Sequence, residues 1–175
     1  MTTAAIARPA AGEYGAYFHR YISLLTDDDV LGALHAAPFS RLISGLEEAQ
    51  GGVRYAPDKW SIKESIGHVS DTERIFAYRA LRVARNDATP LAGFEQDDYV
   101  RAASFEARTV ASLAAELDAV RAATIALFES LSGEELARRG TASGSPVTPR
   151  AVAFMIAGHE LHHVELFRTR YLPLL

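Results

Sequence analysis

Residues 157–165 read Ala-Gly-His-Glu-Leu-His-His-Val-Glu and contain three of the six histidines of the 175-residue chain. Apolar residues recur around them at three- and four-residue steps, a pattern typical of one face of a helix. The stripe comprises Val152, Met155, Ile156, Leu166 and Phe167. His159 and His163 share this stripe one turn apart, so both imidazoles point the same way. Such a pair supplies two ligands to a divalent metal, and two core histidines with ordinary hydrogen bonds are the alternative.

The same stretch matches the H-E-x-x-H pattern of zinc peptidases, in which Glu160 would be the general base. That family needs a third ligand downstream, but Glu165 is the only acid in the twelve residues after His163. His162 is a competing ligand. It lies about 300° around the helix from His159, against about 400° for His163, so it overlaps less well. The sequence therefore disfavours a peptidase and places the third ligand elsewhere.

His68 is the candidate third ligand, in a helix whose start is well marked. Ser61 and Glu64 have the spacing of a capping box, and an apolar stripe then continues to about Arg85. His68 flanks this stripe just over one turn into the helix. It meets the other pair only if the offset of the two helices allows it. Three imidazoles would leave a metal position open, as in catalytic rather than structural sites.

Other polar residues share the face of His68. Asp71, three residues later, is a second candidate for a general base, with an exposed salt bridge as the alternative. Thr72 and Arg79 continue the face and are candidates for binding a cofactor or substrate. Arg79 would contact an anionic group, or it would be a solvated arginine at the bundle end.

The remaining sequence predicts an all-α protein. Further amphipathic helices are expected over residues 13–25, over 30–49 with a break or kink at Pro38, over 105–131, and from Thr148 towards the C-terminus. No window alternates with period two, so no sheet is predicted. We expect a disordered tail over residues 1–12 and one four-helix bundle domain over 13–175.

The connection between residues 87 and 104 is longer than usual and shows no periodicity. It contains Phe94 and Tyr99, whose aromatic rings are unfavourable to expose to solvent. They would cover the metal cavity, or else pack into the bundle or a dimer contact.

Composition excludes several classes of function. The net charge of −4 does not indicate a basic surface of the kind that binds nucleic acid. The absence of cysteine removes disulfides, thiolate ligands and a cysteine nucleophile. No apolar run approaches the ~20 residues that cross a bilayer, and the N-terminus lacks a signal-peptide pattern. We therefore expect a cytoplasmic protein that acts on a small molecule, without a membrane or nucleic-acid partner.

Two blocks, residues 57–64 followed by His68 and residues 158–163, resemble the signature of the DinB-like superfamily over roughly residues 28–172. That family includes bacillithiol transferases and the metal-binding part of mycothiol-dependent maleylpyruvate isomerase. The resemblance implies a four-helix bundle with a long crossover connection and, often, a homodimer. It also implies a divalent metal, commonly zinc or nickel, bound through three histidines. Carried over to this chain, these are His68, His159 and His163.

The resemblance and the histidine pattern together predict a metal-dependent enzyme, either a thiol-dependent S-transferase of the bacillithiol type or a hydrolase. A metal of this kind lowers the pKa of a bound water or holds a thiol as thiolate. The sulfur would come from a low-molecular-weight thiol cofactor, since the chain has no cysteine. A non-enzymatic metal-binding or stress-associated module is the alternative.

Overall fold

A computed structural model describes residues 5–175. Residues 1–4, part of the predicted tail, lie outside the described residues. The described α-helices are α1 (His19–Ile22), α2 (Val30–Ala36), α3 (Pro38–Ile43), α4 (Ile62–Ala84), α5 (Gln96–Ala102), α6 (Val110–Ser130), α7 (Gly133–Ala137) and α8 (Pro149–Leu166). A short antiparallel hairpin, β1 (Gly140–Ala142) and β2 (Ser145–Val147), precedes α8. None of these helices is long and apolar enough to span a membrane.

The predicted four-helix bundle with a long crossover is confirmed. Its members are α2 with α3, α4, α6 and α8, and each contacts two others around a closed ring. The N-terminal ends of α4 and α6 meet at Glu48, which pairs with Lys63 and accepts a hydrogen bond from the Val110 amide. Because α4 and α6 therefore run parallel, the chain must cross the length of the bundle between them.

Helix starts follow the capping signals of the sequence. The Ser61 hydroxyl accepts from the Glu64 amide while Glu64 accepts from the Ser61 amide, which is the predicted capping box. At α8 the Thr148 side chain accepts from the Ala151 amide, and Pro149 takes the first helical position. Pro38 splits the second helical stretch as expected, with Ala37 in a left-handed conformation between α2 and α3.

Three local predictions differ from the structure. The helix expected over residues 13–25 is only a 3₁₀ turn followed by the four-residue α1. The connection over 87–104 is not irregular throughout, since it contains α5. The stretch 140–147, where no strand was predicted, pairs as a hairpin with Ser143 and Gly144 at positive φ in its turn. Strands of three residues are too short to leave a period-two pattern.

The segment before α1 lies against the bundle, where the sequence predicted a disordered tail. Ile6 is buried in the core beside α2 and α8 residues. The Arg8 guanidinium donates to the carbonyls of Ile22 and Leu25. Arg8 also pairs with Asp28 and lies over the Phe154 ring. These partners are distant in sequence, so no local pattern reveals the contacts.

The core consists of two apolar clusters, one around Leu34 and Phe154 and the other around Phe39 and Phe167. A buried ion network lies where they meet. Arg121 of α6 pairs with Glu73 of α4 and Glu160 of α8, and donates to the carbonyl of Leu34. All four bundle members therefore contact one guanidinium, which fixes the position of each helix along the bundle axis.

Candidate metal centre

The relative placement of α4 and α8 decides whether three histidines meet. The start of α4 faces the end of α8: the Tyr171 hydroxyl donates to the Trp60 carbonyl over 2.6 Å and lies 3.1 Å from the Ser65 hydroxyl. The two helices are therefore antiparallel, and this offset brings His68, near the start of α4, level with the histidines of α8.

The three imidazoles converge through their Nε2 atoms. The Nε2 of His159 lies 3.2 Å from the Nε2 of His68 and 3.2 Å from that of His163. Ligand atoms of the three residues all lie within 4.8 Å of one another. The structure thus brings together the three histidines that the sequence singled out.

Burial keeps these histidines neutral. It lowers the pKa of His68 to about 4, with a smaller contribution from the nearby His162. Burial also lowers the pKa of His159 and His163 well below the usual histidine value, and the neighbouring imidazoles lower both further. Neutral imidazoles retain the lone pair that a metal ion needs.

The donor set fits a divalent ion. Nitrogens that share one tetrahedral zinc at about 2.0–2.1 Å are separated by about 3.3 Å, close to the spacing found here. Hydrogen bonds among three converging Nε2 atoms need particular tautomers, whereas a cation uses every lone pair at once. The Nδ1 of His68 lies 3.4 Å from the Thr72 hydroxyl, which can orient that ring. The buried Nδ1 of His163 has no hydrogen-bond partner among the described residues.

The triad forms one wall of a cavity of about 650 Å³. The Trp60 ring stacks obliquely on His68 with centroids 4.5 Å apart, and Tyr21 contacts His159 edge-on at 5.3 Å. His162, the competing ligand of the sequence analysis, is exposed and lines this cavity but does not belong to the converging group. A small molecule can therefore reach the converging nitrogens from one side.

Comparison with known proteins identifies the family. The profile of the DinB superfamily matches residues 33–167. The chain belongs to the DinB superfamily. No match was found among curated proteins.

Two solved structures share the fold of this DinB superfamily member. YfiT from Bacillus subtilis, described as a probable metal-dependent hydrolase with an unusual four-helix bundle topology, superposes with a TM-score of 0.69. The identity is 14%, and 91% of each chain is covered. Mycothiol-dependent maleylpyruvate isomerase superposes with a TM-score of 0.68 at 15% identity. That match covers 82% of this chain and 61% of the isomerase.

Glu160, a candidate general base, faces the centre of the bundle rather than the cavity. Its carboxylate accepts from the Phe39 amide at 3.0 Å and from Arg121 at 2.7 Å, and it is buried. The structure does not support the catalytic role expected for Glu160. Adjacent positions of a helix point about 100° apart, so a residue beside a ligand need not share its site.

The other candidates divide between cavity and surface. Asp71 is partly exposed and faces Arg74 at 3.5 Å, the salt-bridge alternative, and it does not line the cavity. Burial raises the pKa of Asp71.

The candidates for binding a cofactor or substrate lie in or beside the site. Thr72 contacts His68 as described, and Arg79 is buried in an adjoining cavity. Phe94 lines that adjoining cavity, whereas Tyr99 is exposed and packs against the Phe94 ring, with ring centroids 5.2 Å apart.

Sequence reasoning missed three residues that shape the site. Tyr21 lies in the stretch 13–25, which was predicted only as an amphipathic helix, and it precedes the part of the chain matched to the DinB superfamily. Trp60 was quoted in a motif without a role. Arg121 gave no signal, since its partners come from helices far away in the sequence.

Proposed function

We propose that this chain is a divalent-metal-dependent enzyme whose ion, zinc or nickel, is bound by His68, His159 and His163. The observation that carries the proposal is the convergence of three buried, neutral Nε2 atoms on the wall of an open cavity. Three imidazoles leave at least one position for an exchangeable ligand, as catalytic sites require. A bound divalent ion would supply a Lewis acid that lowers the pKa of a water or thiol beside the substrate.

The surrounding side chains favour a thiol as the nucleophile. Neither Glu160 nor Asp71 lines the cavity. Glu64 of α4 does line it, but its carboxylate accepts hydrogen bonds from Arg54 and from the Ser61 amide, so it is already engaged as a helix cap. A thiol, with an ordinary pKa near 8.5, needs less help than water. His162, whose side chain is exposed at the edge of this cavity, is a group that could accept the proton. Partial desolvation lowers its pKa, which favours the neutral imidazole that can act as a base.

The first candidate activity is therefore transfer of a low-molecular-weight thiol to a small electrophile. The thiol loses its proton, its sulfur attacks the electrophilic carbon, and the leaving group departs. Hydrolysis is the second candidate, favoured by the similarity to YfiT. A homodimer and a cytoplasmic location remain predictions that sedimentation and fractionation would test.

Metal analysis of the purified protein is the first experiment. We expect about one divalent ion per chain, lost in His68→Ala, His159→Ala and His163→Ala. His162→Ala is the matched control, since it removes a neighbouring imidazole that does not converge with the triad. Equal loss of metal in all four variants would contradict the ligand assignment.

Activity distinguishes the remaining alternatives. The metal-loaded protein would be incubated with low-molecular-weight thiols and 1-chloro-2,4-dinitrobenzene, or with p-nitrophenyl acetate alone. Thioether formation that disappears in His163→Ala supports the transferase, and ester cleavage without thiol supports the hydrolase. Stoichiometric metal without turnover of any substrate favours the non-enzymatic module.

A further inference from the structure

A second cavity of about 390 Å³ adjoins the metal cavity. We call it the Arg79 pocket; its lining includes the aromatic rings of Phe76 and Phe94, the side chain of Arg79, and the exposed residues Glu95 and Asp97. Tyr21 and His159 line both cavities. A ligand in the Arg79 pocket would therefore lie directly beside one of the three converging histidines.

Arg79 is almost completely buried, at 4% exposure, yet no described carboxylate forms a salt bridge with it. Its Nη2 donates to the Ala92 carbonyl at 2.8 Å and to the Ser143 hydroxyl at 3.0 Å. Its Nε and Nη1 have no hydrogen-bond partner among the described residues. Burial lowers the pKa of Arg79, because the charge is desolvated without an anion to compensate it.

Arg121, the other buried arginine of the described chain, has its charge neutralised by carboxylates. It pairs with both Glu73 and Glu160, and donates to a carbonyl as well. An unpaired buried charge is strongly unfavourable, so the contrast between the two arginines calls for an anion at Arg79.

Neighbouring elements hold the Arg79 guanidinium in place. Phe76 and Phe94 have ring centroids 5.9 and 5.7 Å from its central carbon. Leu91 ties the crossover segment to the hairpin, since its amide donates to the Thr141 carbonyl and its carbonyl accepts from the Ser143 amide. The crossover and the hairpin thus both supply acceptors that fix one end of the guanidinium and leave the other donors free.

We propose that the Arg79 pocket binds the carboxylate of a small aromatic or apolar monoacid, whose opposite end reaches the three-histidine centre. This inference rests on the proposed function, since it names the substrate class of the same site. The Phe76 ring lies between the two, 6.3 Å from the His159 ring by centroids, so the distance to be spanned is that of a small molecule.

Charge balance favours a carboxylate over a phosphate ester. The pocket offers one unpaired cation, which a monoanion neutralises, whereas a phosphate dianion would leave a negative charge uncompensated. Glu95 and Asp97, exposed residues that also line the pocket, repel any anion, and they repel a dianion more strongly than a monoanion. The aromatic walls suit an apolar body behind the carboxylate.

Binding of benzoate, measured by calorimetry and by NMR at fixed ionic strength, tests the proposal. We expect benzoate to bind with at least tenfold lower affinity in Arg79→Gln, and benzyl alcohol to bind the wild type much more weakly than benzoate does. Arg74→Gln is the matched control, because Arg74 lies on the same helix but pairs with Asp71 and Glu116 at the surface. It should bind benzoate as the wild type does.

Equal affinity of wild type and Arg79→Gln would overturn the proposal, and so would tighter binding of phenyl phosphate than of benzoate. If Arg79→Gln does not fold, the wild type decides. Benzoate must shift the backbone amides of residues 79, 94 and 143, and their insensitivity would equally overturn it.

Measurements on metal-free and metal-loaded protein separate this proposal from the proposed function. Benzoate held by Arg79 binds after chelation, whereas benzoate held only by a metal does not. Binding lost on chelation contradicts the Arg79 pocket alone, and absence of stoichiometric metal contradicts the metal centre alone.

Discussion

The carboxylate of Glu160 illustrates how one contact decides the role of a residue. It follows a histidine of the triad directly in a sequence that matches a peptidase motif. Its oxygens are nevertheless taken by Arg121 and the Phe39 amide in the bundle centre. A base so engaged cannot also activate a nucleophile in the cavity.

We therefore expect Glu160→Gln to reduce stability without reducing metal content. Loss of a charge-assisted hydrogen bond to Arg121 should lower the free energy of unfolding by about 2 kcal/mol. Urea denaturation and metal analysis of the two proteins would measure this. Chelator-sensitive cleavage of casein by the wild type, lost in the variant, would show that the peptidase motif is functional after all.

Gly158 is the residue that lets α1 approach α8 beside the site. A β-carbon at this position would lie 2.1 Å from the backbone oxygen of Tyr21, an impossible contact. We expect Gly158→Ala to destabilise the fold by about 1–3 kcal/mol, since α1 must move away. Gly133→Ala is the control, because a β-carbon there meets no atom within 4 Å. Thermal unfolding that leaves both variants equal to the wild type would contradict this account of Gly158.

At the scale of elements, the N-terminal segment is fastened to the start of α8. The buried Glu13 accepts from the Thr148 hydroxyl at 2.9 Å and pairs with Arg150. The hydrogen bond from Arg150 is the largest effect that lowers the pKa of Glu13, to about 2. A carboxylate with a depressed pKa stabilises the fold above its unfolded pKa, near 4.5, and ceases to do so as pH falls towards 2.

Glu13→Gln should therefore be less stable than the wild type by about 2–3 kcal/mol near pH 7. The difference should stay constant above about pH 5 and shrink between pH 4.5 and pH 2. Denaturant titrations across this range would measure it. A difference independent of pH would mean that Glu13 acts through packing rather than through its charge.

The elements that could be predicted from sequence are those with local signals. The capping residues Ser61 and Thr148 mark the starts of α4 and α8 without reference to the rest of the chain. α5 has no side-chain cap and a single buried residue, Val100, so neither capping nor periodicity indicates it. The histidine pair of α8 follows from helical spacing alone.

The remainder of the site depends on the register between helices, which no local pattern contains. The sequence offered His68 as a third ligand but not the offset that brings it to the pair. That offset is set by contacts such as the hydrogen bond from Tyr171 to Trp60. The position of α6 along the bundle is set by the ion pairs of Arg121. For the same reason Arg79 could be placed on the face of His68, but its burial without a counter-ion could not.

At the scale of the whole molecule, the three-histidine site is an addition to a core that is already complete. The two apolar clusters and the Arg121 network join all four bundle members without the triad. Small metal-dependent folds lack such a core and unfold when the metal is removed. In this chain the three histidines join only α4 and α8, which Tyr171 also fastens.

We therefore expect chelated protein to remain folded and to unfold cooperatively, and added metal to raise its melting temperature. Free zinc or nickel at 100 times its Kd would stabilise the fold by about 2.7 kcal/mol. For a chain of this size that corresponds to a rise of about 5–11 °C. His163→Ala should unfold cooperatively but show no rise with metal, and His162→Ala should rise as the wild type does. Loss of helical circular dichroism on chelation would contradict this view, because the metal would then be part of the core.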